Sequence, residues 1–298
     1  MGERAVTRIE RRNLRNGVLF TLPWTIGLIV FTMFPAAMSL GLSLSDYSLL
    51  NEPVFVGLTN YKDMAVDNVF QTALWNTGVY AAMALPFGMV LAIALALLLN
   101  QRILARPVFR TIFFLPSLVP LVALAILWNW ILQGNTGALN HLLGLVGIKG
   151  PNWLGDPAWS KPALMVTGLW GVGNAVVIYL AGLQDVPRDF YEAARVDGAN
   201  WWQQTWHITL PMISPVIYFN LLMGCIGVLQ IFAVPYVMTS GGPMRSTLFY
   251  TMYLYQQAFR FLNMGYACAM AWVLFVMVAL LTYTAHRVSR RHVYYGGA

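Results

Sequence analysis

Of the 298 residues, 58% are hydrophobic and only 10% charged, and the mean hydropathy of +0.62 excludes a water-soluble globule of this length. Eighteen Lys and Arg against eleven Asp and Glu give a formal charge of +7. The basic residues form short clusters between long apolar runs rather than one folded face, which excludes a nucleic-acid surface and ties the charge to membrane topology.

Scanning for uncharged stretches able to cross a hydrocarbon core of about 30 Å as helices gives six, at 18–44, 70–99, 112–132, 163–183, 213–235 and 266–285. The expected fold class is an all-α membrane protein with six transmembrane helices in a domain spanning 18–286, between a basic N-terminus, 1–17, and a basic tail, 287–298. The first apolar run is longer than a typical signal-peptide core, so it reads as a retained span. No Asp, Glu, Lys or Arg falls inside any span. A proton-driven carrier usually accepts the cost of intramembrane charges to build a relay, and this chain has none.

Cytoplasmic loops retain Lys and Arg. Thirteen of the eighteen lie on one side: Arg4, Arg8, Arg11, Arg12 and Arg15 before the first span, Arg102, Arg106 and Arg110 after the second, Arg188 and Arg195 after the fourth, and Arg287, Arg290 and Arg291 at the end. Both termini are therefore expected in the cytoplasm. The opposite side keeps Lys62, Lys149, Lys161, Arg245 and Arg260. There, 46–69 and 133–162 have the composition of ordered loops, and 236–265 carries Phe249, Tyr250, Tyr253, Tyr255, Phe259 and Phe261, read as an interfacial aromatic belt in preference to a sugar-stacking platform. Pro35, Pro86, Pro116, Pro120, Pro215, Gly171, Gly173, Gly224 and Gly227 lie within the spans, where they kink helices or permit close approach as in ordinary bundle packing. Cys225 and Cys268 have no CxxC or metal-ligand spacing, so neither a disulfide framework nor a metal site is expected.

One cytoplasmic connection, 184–211, is neither short nor simply basic: QDVPRDFYEAARVDGANWWQQTWHITLP. Asp189 is expected to cap a helix whose Glu192 closes a capping box, and Gly198 suits the left-handed position that stops it after about two turns. A second short helix, 201–207, follows, with Pro211 near the entry of span five. Two exposed helices there suit docking to a soluble partner.

Glu192-Ala193-Ala194, three residues including Asp197, then Gly198, nine residues, and Ile208-Thr209-Leu210-Pro211 reproduce the EAA motif without an insertion. The chain resembles the permease subunits of binding-protein-dependent ABC importers, and Ser240-Gly241-Gly242-Pro243 resembles the sugar-importer branch that includes maltose and glycerol-3-phosphate permeases. The resemblance covers nearly the whole chain and implies a type I importer permease fold in its compact six-span form. It gives Glu192, Ala193, Ala194, Asp197, Gly198, Ile208, Leu210 and Pro211 the role of coupling to an ATPase subunit. It also implies a second, homologous permease, a dimer of ATPase subunits that bind ATP and Mg, an extracytoplasmic solute-binding protein, and a sugar as cargo. The chain itself has no GxxxxGK[ST] phosphate loop and needs no cofactor of its own.

For the substrate path, Thr167, Trp170, Gly171 and Asn174 form one stripe at i, i+3, i+4 and i+7 of span four, and Gly224, Gly227, Val228 and Ile231 form another on span five with Gln230 adjacent. Trp170 and Asn174 are expected to face the small residues across a cavity, a combination suited to a neutral di- or oligosaccharide. Helix packing through small residues is the alternative. The competing functional reading is a membrane-embedded enzyme acting on a lipid-linked or glycosyl substrate. The scattered His141, His207, His286 and His292 and the absence of acids in the spans oppose it.

Overall fold

The computed structural model describes residues 8–101 and 104–289. Arg4, Arg102, Arg290 and Arg291, counted above for orientation, lie outside the described residues. The chain divides into two compact units, residues 1–64 with 257–273, and residues 65–256 with 274–298.

In the first unit, α1 (Arg8–Ser43, 36 residues) starts ten residues before the first expected span. Backbone hydrogen bonding does not stop where hydrophobicity does, and the Arg- and Leu-rich turn from Arg8 is helix-forming in its own right. A wider turn at Ile29–Met33 precedes Pro35, which lacks the N–H a regular turn would use. Two short strands that the composition did not announce follow, β1 (Ser45–Asp46) and β2 (Val54–Phe55). They pair antiparallel, Ser45 with Phe55 and Asp46 with Val54. Buried Asn60 of α2 (Thr59–Val66) donates to the carbonyls of Ser43 and Ser45, each at 2.9 Å, so one amide fixes the exit from α1. At Gly265 a Cβ would lie 2.1 Å from the Ser45 carbonyl oxygen, an approach only glycine permits.

In the second unit, α3 (Asn68–Asn100, 33 residues) is the central helix. Asp67 caps it, accepting from the Val69 N–H at 2.8 Å, as an Asx side chain at an N-cap should. The next expected spans are not continuous helices. Span three is α4 (Arg106–Leu118) and α5 (Leu121–Ile131) with a 99° bend between them; Pro120 forces the residue before it out of the helical region, and Val119 is extended (φ −71, ψ 127). After α6 (Ala138–Leu145), span four is α7 (Pro157–Trp170) and α8 (Gly173–Gln184), bent by 49° at Gly171 and Val172. Span five splits too: α11 (Ser214–Leu229) stops at Gln230, and α12 (Ala233–Thr239) starts a separate turn. Span six is one helix, α14 (Met264–Ser289), whose residues through Val273 belong to the first unit and whose remainder belongs to the second. Among the described residues three helices can each cross a membrane by length and composition, or up to six spans result if each bent pair counts as one, the third pair being Trp201–Met212 with α11.

Small residues set the packing around α3. Fully buried Ala92 and Ala96 let α8 approach, and Val176, Tyr179, Leu180, Leu183, Val186 and Ile213 close one core around them. At Gly173 a Cβ would meet the Phe113 carbonyl at 2.6 Å and the Phe114 Cα at 3.0 Å, so α8 begins directly against the backbone of α4. A second core gathers Tyr80, Ala125, Leu132, Ala163, Leu164, Met238 and Phe249.

The aromatic-belt expectation is corrected for three residues. Phe249 and Tyr250 are fully buried and Tyr253 nearly so, whereas Phe259 and Phe261 are exposed. Polar groups hidden in the apolar runs explain the inward turn. Asn76 donates to the carbonyls of Arg245 and Leu248 at 2.7 and 3.1 Å. Thr77 Oγ1 accepts from the Tyr250 N–H at 2.8 Å, Ser160 and Ser246 share a 2.8 Å bond, and the Tyr253 hydroxyl donates to Asp67 at 2.5 Å. These bonds draw the segment after Ser240-Gly241-Gly242-Pro243 into α13 (Tyr250–Tyr255), packed on α3. Burial accordingly pushes the Tyr250 hydroxyl well above its usual pKa.

Candidate functional site: the 184–211 connection and the cavity beside α3

The 184–211 connection folds as two helices, α9 (Arg188–Val196) and α10 (Trp201–Met212). The capping box expected at Asp189 is absent. Pro187 occupies the N-cap, no side chain caps the helix, and Asp189 sits in the first turn, where its charge favours the helix dipole. The capping box lies instead on α10: Asn200 accepts from the Gln203 N–H at 3.0 Å, and Gln203 accepts from the Asn200 N–H at 2.8 Å. Its signal, Asn three residues before Gln, was legible in the sequence.

The stop after α9 follows the expectation. Gly198 has φ +80, its N–H bonds to Arg195 O at 3.1 Å, and the Ala199 N–H bonds to Ala194 O at 2.8 Å, the two closing bonds of a Schellman motif. Tyr191 and Thr209 share a 3.0 Å hydroxyl bond, and the Gln204 amide donates to Ala199 O at 2.8 Å, so the two helices are latched to each other. α10 runs past the expected end at 207. Its Ile208 and Leu210 pack, with Tyr191, on the core of Ala92, Tyr179 and Ile213, which gives the I-x-L-P segment a structural reason.

Glu192, Ala193, Asp197, Gly198 and Pro211 are exposed and Ala194 is half-buried. The signal that composition understated is apolar. Phe190, Val196, Trp201, Trp202 and Trp206 are all exposed, Val196 by 89% and Trp202 by 65%, and Trp201 meets Trp202 edge to face at 4.7 Å. An exposed cluster of this kind, rimmed by charge, is the composition of a protein-binding surface.

The second feature is a cavity of about 220 Å³ between α3, α7, α8 and α11, lined by Tyr80, Gly88, Gly168, Val172, Tyr179, Asn220, Gly224 and Val228 among others. Of the residues expected on the substrate path it contains Gly224 and Val228. Thr167 is fully buried and bonds back to Ala163 O at 3.0 Å. Trp170 packs edge to face on Trp128 at 6.0 Å, and Asn174 is exposed near the start of α8, roughly 200° round the helix from the cavity-lining Val172. The expected stripe is thus divided by the bend at Gly171. On the fifth span Gly227 faces open space, Gln230 is the helix's C-cap, and Ile231 lies beyond its end. The cavity's own polar groups were missed. Asn220 donates to Val216 O at 3.0 Å, leaving its oxygen, and the Tyr179 hydroxyl is buried without a hydrogen-bond partner among the described residues. Lone polar residues in apolar helices were the available signal. Among the described residues no group of three or more His, Cys, Asp or Glu is placed to hold a metal ion.

Residues 84–292, from the middle of α3 through α9 and α10 and beyond, match the family model described as the binding-protein-dependent transport system inner membrane component. The chain belongs to this family. A probable ABC transporter permease, YesP, of Bacillus subtilis is 38% identical over 294 residues, covering 97% of this chain and 95% of that protein. The lactose transport system permease LacF of Rhizobium radiobacter is 35% identical, covering 92% and 94%. The solved structure of a bacterial ABC transporter involved in alginate import superposes with a TM-score of 0.83 at 26% identity, covering 96% of this chain and 99% of that one. The fold is the type I permease fold, the protein is a non-enzymatic membrane transport subunit, and the membrane-enzyme reading falls with that membership.

Proposed function

We propose that this permease passes a sugar, delivered by an extracytoplasmic binding protein, through a path shared with a second homologous permease, driven by ATP and Mg bound on a separate ATPase dimer that docks on α9 and α10 in the cytoplasm. The carrying observation is the docking pair itself. Two short helices fixed by a Schellman stop, a capping box and a hydroxyl latch present Phe190, Val196, Trp202 and Trp206 outward, so a partner meets a preorganised surface and little ordering entropy opposes association. Similarity to permeases named for lactose and for trehalose and maltose supports the sugar. So does an alginate transporter structure solved with an oligosaccharide-bound periplasmic protein.

Within the membrane we place the path along the cavity of Tyr179, Asn220, Gly224 and Val228, where an amide oxygen and a phenol with no partner among the described residues meet sugar hydroxyls against an apolar wall. The test is reconstitution with the second permease and the ATPase, followed by ATPase stimulation by the sugar-loaded binding protein. Glu192→Lys is expected to abolish stimulation at unchanged membrane insertion, and full stimulation of that variant would overturn the docking assignment. Asn220→Ala is expected to reduce transport two- to tenfold, one hydrogen bond being worth about 0.5 to 1.5 kcal/mol. Loss in Asn174→Ala with Asn220→Ala unaffected would move the path to the other side of α8.

A further inference from the structure

Between α9, α10 and the adjoining ends of α3 and α4 lies a cleft of about 720 Å³ whose lining includes Arg106, Arg110, Arg188 and Arg195, with Glu192 as the one acid. Glu192 lies four residues after Arg188 and three before Arg195, spacings that put the three on one helix face, so α9 keeps one cation in excess while the α4 side has two and no acid. There the two arginines differ. Arg106 donates from Nε to Leu99 O at 2.7 Å and from Nη2 to Asn100 Oδ1 at 3.1 Å, tying off the end of α3. Arg110 has its Nε and Nη2 buried with no hydrogen-bond partner among the described residues. Two guanidinium nitrogens shut off from water without an acceptor, on a side chain that is otherwise half-buried, carry a desolvation cost that an anionic group would offset.

A second cavity, of about 210 Å³, shares Arg110 and Gln184 with the cleft but is otherwise apolar, lined by Leu99, Phe113, Phe114, Val176, Val177, Leu180 and Ala181 among others. Its wall residues Phe113 and Val177 are 37% and 47% exposed, so the cavity opens outward along the helix surface. One cation at the junction of a polar basic cleft and an outward apolar slot fits a ligand with a phosphate at one end and hydrocarbon at the other. We propose that this is a site for an anionic phospholipid, its phosphate held by Arg110 beside Arg106 and one acyl chain lying against Phe113 and Val177. Basic pockets between membrane helices at the cytoplasmic surface take such headgroups. The apolar slot is what favours a lipid over a free anion.

The inference rests on the cytoplasmic placement of the 184–211 connection, and the measurement is chosen so that the two fail separately. The complete transporter, purified in detergent, is equilibrated with equal amounts of dioleoylphosphatidylglycerol and dioleoylphosphatidylcholine and read by native mass spectrometry, which is indifferent to orientation. The wild type is expected to retain the phosphatidylglycerol preferentially, and Arg110→Gln to lower that retention about fivefold, the effect of one cation near an anionic headgroup. Arg110→Lys should restore part of it. Val177→Trp, which fills the slot and leaves every charge in place, should lower retention of the same lipid. Equal retention of both lipids by the wild type overturns the site without any variant having to fold, and so does an unchanged preference in Arg110→Gln. Displacement of the lipid by inorganic phosphate, with Val177→Trp behaving as wild type, identifies a free-anion site and overturns the lipid assignment. A cysteine at Asn200 labelled from outside intact cells would sink the orientation while leaving the retention result standing.

Discussion

Replacing Gly198 isolates a single torsion. Its φ is +80 and an added Cβ would meet nothing within 4 Å, so side-chain size is irrelevant and only backbone preference acts. A non-glycine residue held in the left-handed region costs about 1 to 2 kcal/mol, more for a β-branched one, while asparagine tolerates it. If the backbone escapes instead, it gives up the closing bonds to Arg195 O and Ala194 O, together worth roughly 1 to 3 kcal/mol. By either route the latched arrangement of α9 on α10 loses a factor of about 5 to 30 in population for 1 to 2 kcal/mol. Transport per assembled complex and ATPase stimulation should therefore fall in the order Gly198→Asn, Gly198→Ala, Gly198→Val, with Asn near wild type and Val worst. Membrane insertion, measured by the amount of folded permease, should not change across the series. Wild-type coupling in Gly198→Val, or equal losses in Asn and Val, would refute the torsional argument.

The two glycine environments in the spans predict opposite outcomes: Gly173→Ala should reduce the yield and melting temperature of the complex because the new Cβ meets backbone at 2.6 Å, whereas Gly227→Ala, facing open space, should leave both unchanged. Tyr253→Phe removes the bond to Asp67 and should cost about 1 kcal/mol, read as a lower melting temperature with transport per folded complex retained; Asp67→Ala, which also loses the α3 cap, should cost more. Tyr179→Phe deletes a buried hydroxyl with no hydrogen-bond partner among the described residues, so stability should hold or rise while transport falls, and unchanged transport would remove that hydroxyl from the path.

Membrane character and the two-helix form of the 184–211 connection were legible because each rests on a strong local signal: uncharged runs for the spans, and the stop at Gly198 between two short helical segments for the connection. The course of the spans was not. An apolar run carries no mark distinguishing a straight helix from two helices meeting at 99°, and Pro116, Pro120 and Pro86 look alike in sequence. Of these three prolines only Pro120 breaks its span, with Val119 extended before it, whereas Pro86 sits inside α3. The buried course of Phe249 to Tyr253 was hidden for a related reason. Its anchors are Asn76, Thr77 and Ser160, whose partners lie far along the chain, and no periodicity announces a pairing over that separation. The substrate stripe assumed one unbroken helix through Gly171. Once that helix bends, the i, i+3, i+7 rule places Thr167 and Asn174 on unrelated surfaces, and the cavity falls to Tyr179 and Asn220.

The turn between α10 and α11 consists of Ile213 alone, which is 1% exposed and seated in the core with Ala92, Ala96 and Tyr179, while the axes on either side differ by 67°. A tether of several solvated residues would absorb a push on α9 and α10 as slack. A buried single-residue elbow has no slack to give. Any displacement of α10 therefore acts as torque on α11, with Ile213 as the fulcrum, and the glycines at 224 and 227 ride near the far end of that lever arm, where a small rotation produces the greatest travel.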